Sequence, residues 1–308
     1  MKEWVASIGA SNIDIHGFSD EPLFMKDSNP GMIHTCPGGV SRNISENLVR
    51  LGVPTKLITA LGDDLNGDQI RQSCQNLGID LSMSVELKDR NSSTYMAIMD
   101  SDGEMALALS DMRILDELTA THLKKHHSTL MNASAIVMDA GLLPETMAYV
   151  SETYSSKKTI LDPVSVKKCY RMDKISGQFY CLKMNKLEAG YLSGITIVNT
   201  ETLESAARKL LSFGLQRLYI TLGKEGIYYA EPGNTGLVPA PTVKPVNATG
   251  AGDAVSAAVV YGELQDWTMK EISRFAIGAA TITIASSETV SDRISPKEIN
   301  LILKEKML

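Results

Sequence analysis

The chain is short of positive charge. Acidic side chains outnumber basic ones, 36 to 30, for a formal net charge of −6. Such a balance is poorly suited to nucleic acid or to an anionic membrane surface, so neither is expected as a partner. No uninterrupted apolar run approaches the ~20 residues that span a bilayer. The N-terminus passes directly into a strand-like run, Trp4-Val5-Ala6-Ser7-Ile8, with no basic segment ahead of it, and a cytoplasmic protein is expected. Cysteine is scarce: Cys36, Cys74, Cys169 and Cys181 include no C-x-x-C pair. That excludes a zinc ribbon and a disulfide framework, and leaves buried thiols in a reducing compartment. His16, His34, His122, His126 and His127 make no H-E-x-x-H pattern. Neither a Walker A loop nor a dinucleotide fingerprint occurs. A small phosphorylated ligand survives all these exclusions, since it needs only a local positive potential.

What is present is a regular alternation. A chain of 308 residues can bury a sizeable core. From residue 115 onward, helical patterns near 116–130, 144–154 and 201–213 separate strand-like runs that end at Asp139, Asp162, Asn185 and Thr221. Strands alternating with helices imply a mainly parallel, doubly wound sheet covered on both faces. Ligands bind such sheets at the carboxyl ends of the strands, so these four residues are expected on one rim. Earlier, residues 4–9 and Leu57–Leu61 read as buried strands, and Ile44–Leu51 and Asp68–Leu77 as helices. Two segments break the α/β pattern. Residues 17–37 are rich in Gly, Pro, Asp, Ser and Asn, and Thr94–Met99 and Met105–Leu109 flank a turn, Asp100–Glu104. Together they read as a small antiparallel sheet. No linker divides the chain, and residues 1–308 are expected to be one domain.

The stretch Val246-Asn247-Ala248-Thr249-Gly250-Ala251-Gly252-Asp253 reads as a glycine turn opening a helix. Backbone N–H groups at a helix start bind anions. A carboxylate at the mouth of an anion site repels its ligand unless it is there to take a proton. The combination suggests phosphoryl transfer to a hydroxyl, with Asp253 as base and Gly250, Ala251 and Gly252 holding the developing charge. Asp253 as a plain helix cap is the competing reading. Thr221-Leu222-Gly223-Lys224-Glu225-Gly226 is either a nucleotide cradle or a hairpin turn. Asn185 and Glu188 either reach one hydrated Mg²⁺ or form a capping box. Asn12, Asp14, Gly38, Gly39 and Asn43 suit a polyhydroxylated substrate, because a sugar needs bidentate acceptors and close backbone approach. Asn12 and Asp14 alternate with apolar residues and so share a strand face. Asp14 as a turn residue and Asn43 as a helix cap are the alternatives.

In this order, the pieces resemble the PfkB/ribokinase family of carbohydrate kinases. Gly38-Gly39-Val40-Ser41-Arg42-Asn43 through Gly52 resembles its N-terminal signature, and Thr249-Gly250-Ala251-Gly252-Asp253 its C-terminal one. Gly62-Asp63-Asp64-x-x-Gly67, Asn185-x-x-Glu188 and Thr221-x-Gly223-x-x-Gly226 fall between them. The resemblance implies ATP and Mg²⁺, transfer to a primary hydroxyl, and Asp253 as base. It also implies a small β-sheet lid over the site, formed by about residues 13–36 and 88–113. The lid segments Asp27–Gly31, Gly103–Met105 and Ser110–Met112 are most similar to those of the branch that phosphorylates pseudouridine. Ser28, Asn29, Thr94 and Asp111 are then the residues expected to read the base. A kinase for another nucleoside or a free sugar stays open, as does a nucleoside sensor without activity. Most members carry Asp-Thr where this chain has Asn247-Ala248. That segment commonly helps bind K⁺, so Asn247 marks a cation position that lacks its carboxylate. An exposed edge of the lid sheet suggests a homodimer.

Overall fold

The computed structural model describes residues 3–173 and 175–306. Strand β1 (Val5–Ile8) is buried throughout and lies inside the main sheet. The chain then leaves that sheet for β2 (Asn12–Ser19) and β3 (Gly31–Gly38), and returns through helix α1 (Val40–Arg50) to β4 (Thr55–Ile58). The predicted strand Leu57–Leu61 is split. Its second half is β5 (Ala60–Gly62), which after α2 (Leu65–Leu77) pairs in parallel with β6 (Val85–Leu87). The helix predicted from Ile44 starts earlier, at Val40, directly after Gly39 at φ 98°. Its first turn is polar yet buried, from Ser41 to Asn43, so hydrophobic periodicity does not show it.

The hairpin strands β7 (Thr94–Met99) and β8 (Met105–Asp111) complete the small sheet, in the order β3-β2-β7-β8. Asp100 closes their turn, accepting from the N–H groups of Leu23 and Ser101. Only β2 and β7 run parallel in this sheet. The helix expected over 116–130 is broken in two. A Thr119 cap starts α3 (Ala120–Lys125), and at His126 the backbone leaves helical geometry before α4 (His127–Leu130).

The rest alternates regularly: β9 (Ala135–Asp139), α5 (Pro144–Thr153), β10 (Lys158–Asp162), α6 (Val166–Cys169), β11 (Cys181–Asn185), α7 (Lys186–Ser193), α8 (Thr200–Leu211) and β12 (Arg217–Thr221). The antiparallel strands β13 (Ile227–Glu231) and β14 (Asn234–Val238) extend the edge, and α9 (Ala251–Leu264), α10 (Met269–Ile284) and α11 (Pro296–Glu305) end the described chain. The main sheet has eight strands in the order β14-β13-β12-β11-β10-β9-β1-β4. Its strands alternate between two cores. Leu182 and Met184 pack with α3, α5, α7 and α8, whereas Cys181 faces α1, α9 and α10. The doubly wound, mainly parallel sheet with helices on both faces and a smaller sheet beside it is therefore as expected. Among the described residues no helix is long and apolar enough to cross a membrane.

Candidate active site

The predicted rim forms. Asp139 pairs with Asp162 across β9–β10, and Asn185 with Thr221 across β11–β12, all at carboxyl ends. Asp139 is spent on scaffolding. It accepts from Ala10 N–H at 2.7 Å, from the Ser41 hydroxyl at 2.6 Å and from Gly141 N–H at 2.8 Å. These bonds fasten the start of α1 to the ends of β1 and β9.

Helix α9 opens at Gly250, whose φ is 81° and whose added Cβ would sit 1.9 Å from the Thr289 carbonyl oxygen. Only glycine fits there. No side chain caps this helix, so the first N–H groups stay available to an anion, and the capping alternative for Asp253 fails. Asp253 instead lies in the first turn, and its carboxylate accepts from Asn43 Nδ2 at 2.8 Å. Asn43 belongs to α1, in the predicted sugar cluster. One hydrogen bond thus joins the two motif regions at opposite ends of the sequence.

Asp253 is partly exposed at the site mouth, but protein surrounds it elsewhere. That burial, with the Asp162 carboxylate next in weight, pushes its carboxyl up to about 7, against the Asn43 bond and the Lys183 charge. A base that titrates near neutrality suits proton abstraction from a hydroxyl.

The rest of the sugar cluster also assembles. Asn12 pairs with Gly38, and Asp14 with Cys36, across β2–β3. Asn12 donates to Asp14 at 2.6 Å. A Cβ at Gly38 would lie 2.1 Å from the Asp14 carboxylate, and one at Gly39 would lie 2.6 Å from Ala10 O. Burial raises the Asp14 carboxyl, while Asn12, His16 and Arg42 oppose that shift.

Thr221, Gly223 and Gly226 line a cavity of about 870 Å³ together with Ala251 and Gly252. Its far wall is apolar, with Val243, Ala280 and Ile284. The size and the apolar wall suit a flat heterocycle whose phosphates reach the α9 turn. Gly226, at φ 111°, would clash with Val238 O if it bore a Cβ. The plain-turn reading of this loop is therefore incomplete, since the turn forms a cavity wall.

Asn185 and Glu188 form the capping box of α7: Asn185 Oδ1 accepts from Leu187 and Glu188 N–H, and Glu188 accepts from Asn185 N–H at 2.7 Å. Glu188 is nearly buried, and that burial raises its carboxyl. Asn247 donates to Ser287 O at 3.1 Å and accepts from Thr249 N–H at 2.9 Å, lacing the turn to the segment after α10.

Four expected base readers do not join the cluster. Thr94 pairs with Ile13 and with Asp111, so alternation turns both to the face opposite Asp14. There Thr94 accepts from Asn66, and Arg113 holds the Asp111 carboxylate. Asn29 folds back on its own loop, bonded to Phe24 and Asp27, and Ser28 N–H donates to Asp27. The Asp14 face also carries His16, Phe18, His34, Cys36, Tyr95 and Ser110 among others. Two other site residues escape sequence reasoning: Ser41, which holds Asp139, and Lys183, which bonds Asp162 at 3.0 Å. The signal for Lys183 was a lysine inside the apolar run Cys-Leu-Lys-Met.

Such a site, with an uncapped helix N-terminus, a carboxylate poised beside it and a cavity behind it, suits a phosphotransferase with an α/β nucleotide-binding sheet. Residues 2–296 match the model of the pfkB family of carbohydrate kinases, and the chain belongs to that family. It is 34% identical to the pseudouridine kinase of Escherichia coli (strain K12) over 295 residues, 96% of this chain and 94% of that one. A protein named an uncharacterized sugar kinase in the same strain is 30% identical over 96% of this chain and 82% of its own. The ribokinase of Thermotoga maritima superposes with a TM-score of 0.88, covering 98% of this chain and 99% of that structure, at 21% identity.

Proposed function

We propose that this kinase transfers the γ-phosphoryl group of ATP to the 5′-hydroxyl of pseudouridine. The observation that supports this chemistry is the Asn43–Asp253 hydrogen bond, which joins a carboxyl titrating near 7 at the α9 turn to the Asn43 side of the proposed sugar cluster. Asp253 takes the proton of the hydroxyl as its oxygen attacks. The new oxygen–phosphorus bond forms, the bond from phosphorus to the β,γ-bridging oxygen breaks, and its electron pair leaves with ADP. The N–H groups of Gly250, Ala251 and Gly252 meet the charge in transit. Asp14, Asn12 and Asn43 hold the ribose against the bare backbone of Gly38 and Gly39.

The residues present fit Mg²⁺ bound mainly by water and phosphate oxygens. Among the described residues no cluster of three or more acidic, His or Cys side chains could cage a metal, and one Glu188 oxygen is already committed to Asn185. Glu188 and Asn185 would hold the ion's water shell, and the ion would neutralise phosphate charge. K⁺ fits less well. The Asn247 amide already bridges its turn to Ser287, so we assign no required monovalent cation.

The small sheet serves as the lid, excluding water that would otherwise compete as acceptor. Its face away from Asp14 exposes Ile33, Met96, Leu107 and Leu109. We assign that face, rather than the sheet edge, to a second copy of the chain. The free thiols agree with a cytoplasmic setting.

The similarity to the E. coli pseudouridine kinase supports the substrate. A second reading, a kinase for another nucleoside or a free sugar, is favoured by the failure of Thr94, Asp111 and Asn29 to face the site. A substrate panel with ATP, run with and without K⁺, decides between them. Pseudouridine is expected to give the highest kcat/KM, unchanged by K⁺. A clear preference for ribose, fructose or uridine would overturn the substrate, and nucleoside binding without ATP consumption would overturn the kinase reading.

A further inference from the structure

Lys183 sits in the middle of β11, between Leu182 and Met184, and alternation turns it to the α9 side of the sheet. A lysine buried alone would lose its charge. This one is held by Asp162 at 3.0 Å, with side-chain exposures of 7% and 5% for the two partners. Buried ion pairs contribute little net stability compared with apolar packing, so the pair itself does not explain the choice of residue. Its location does. A Cβ built on Gly252 would lie 3.0 Å from Lys183 Nζ, so the ammonium rests against the floor of the anion turn. Ser256, further along α9, donates to the same Asp162 oxygen at 2.7 Å. Asp162 thereby clamps the ammonium to the helix that carries the base.

We propose that Lys183 is a positioning residue for phosphoryl transfer: its ammonium, clamped by Asp162 under Gly252, supplies fixed positive charge beneath the phosphoryl group as it passes the α9 turn. The proposal rests on the kinase reading, with Asp253 as base. As Asp253 takes the hydroxyl proton and the phosphoryl group leaves ADP for the acceptor oxygen, negative charge moves across the turn. A charge fixed below the turn in a water-poor layer stabilises that movement without reorganising. A surface lysine in the same role would be screened.

The groups facing Asp253 are Asn43 of α1, Asp139 of β9, Asp162 of β10 and Lys183 of β11. Glu188 of α7 faces Lys183 and Asp162. Lys183 is the one cation among them. Without it, only the Asn43 hydrogen bond favours the ionised base.

The test is Lys183→Met, which keeps the packing of the stem. It is expected to lower kcat by about 10²-fold while KM for the nucleoside stays within about threefold. The acid limb of kcat/KM moves to higher pH by about one unit. Because the single variant leaves Asp162 buried and unpaired, the double variant Asp162→Asn/Lys183→Met is measured beside it. The double variant is expected to regain folded yield and thermal midpoint and yet remain at least ~10-fold slow, since no charge lies under the turn. A double variant with wild-type turnover would make Lys183 a mere counter-ion and overturn the proposal. So would a single variant whose acid limb stays in place or whose loss lies wholly in KM. A wild-type protein that phosphorylates no nucleoside or sugar overturns the kinase reading, and this proposal with it. An active wild type beside an unaffected Lys183→Met overturns this proposal alone.

Discussion

Helix α9 carries an acidic residue near each end, and the two are treated in opposite ways. At the far end Glu263 is fully buried and saturated. Arg217 holds both its oxygens at 2.9 and 3.0 Å, and the Tyr180 and Tyr219 hydroxyls donate at 3.1 and 3.3 Å. At the near end Asp253 accepts one hydrogen bond, from Asn43, and faces two further carboxylates, Asp162 and Asp139. The first anchors the helix to β12 and to Tyr180, just ahead of β11. The second is surrounded by protein, with two carboxylates set against one hydrogen bond and the Lys183 charge, and burial first of all holds its proton close to neutral pH. One helix thus joins a saturated, anchored end to an end whose carboxylate accepts a single side-chain hydrogen bond.

Removing each carboxylate separates the two roles. Asp253→Asn is expected to lower kcat about 10²–10⁴-fold with nucleoside affinity retained, read from steady-state kinetics and a binding titration. The same variant has a stability signature. Asp253 titrates higher in the folded protein than its ordinary value of 3.8. The folded state therefore binds its proton more tightly, and that stabilisation, complete below about 4, is lost as pH rises through about 7. Asp253→Asn should accordingly melt above the wild type at pH 8, and a lower midpoint there would contradict the raised titration of Asp253.

Glu263→Gln should do the reverse. It is expected to cost about 3 kcal/mol in denaturant unfolding, toward the low end for a broken buried pair because Glu231 still holds Arg217. The kcat of the folded fraction should change by less than about threefold. A large kcat loss at full stability would show that Glu263 acts in the reaction rather than as an anchor.

Asn43→Ala gives a smaller effect. It removes the one hydrogen bond that favours the ionised base, so the acid limb moves upward, and it costs about 1 kcal/mol of stability. KM for the sugar is expected to rise as well, Asn43 being one of the residues proposed to hold the ribose.

The glycine turn beside Asp253 stood out because its signal is local, but a plain helix cap competed with the anion reading until the start of α9 proved uncapped. Asn12 and Asp14 were legible for a similar reason, since strand alternation alone puts them on one face. The base readers were not. Which face Thr94 and Asp111 take depends on β2 pairing in parallel with β7, a register set by partners distant in sequence. The start of α1 was hidden because its first turn is polar and buried at once, with Ser41 bonded to Asp139. Lys183 broke an apolar strand in plain view, but its meaning needed Asp162 and Gly252 beside it.

Whether Asp253 is the base is read from the pH dependence of kcat/KM for ATP-dependent phosphorylation of pseudouridine. With Asp253 as base, the wild type is expected to show an acid limb with an inflection near 7 that is absent from the residual activity of Asp253→Asn. An inflection near 4, or the same limb persisting in Asp253→Asn, would contradict it.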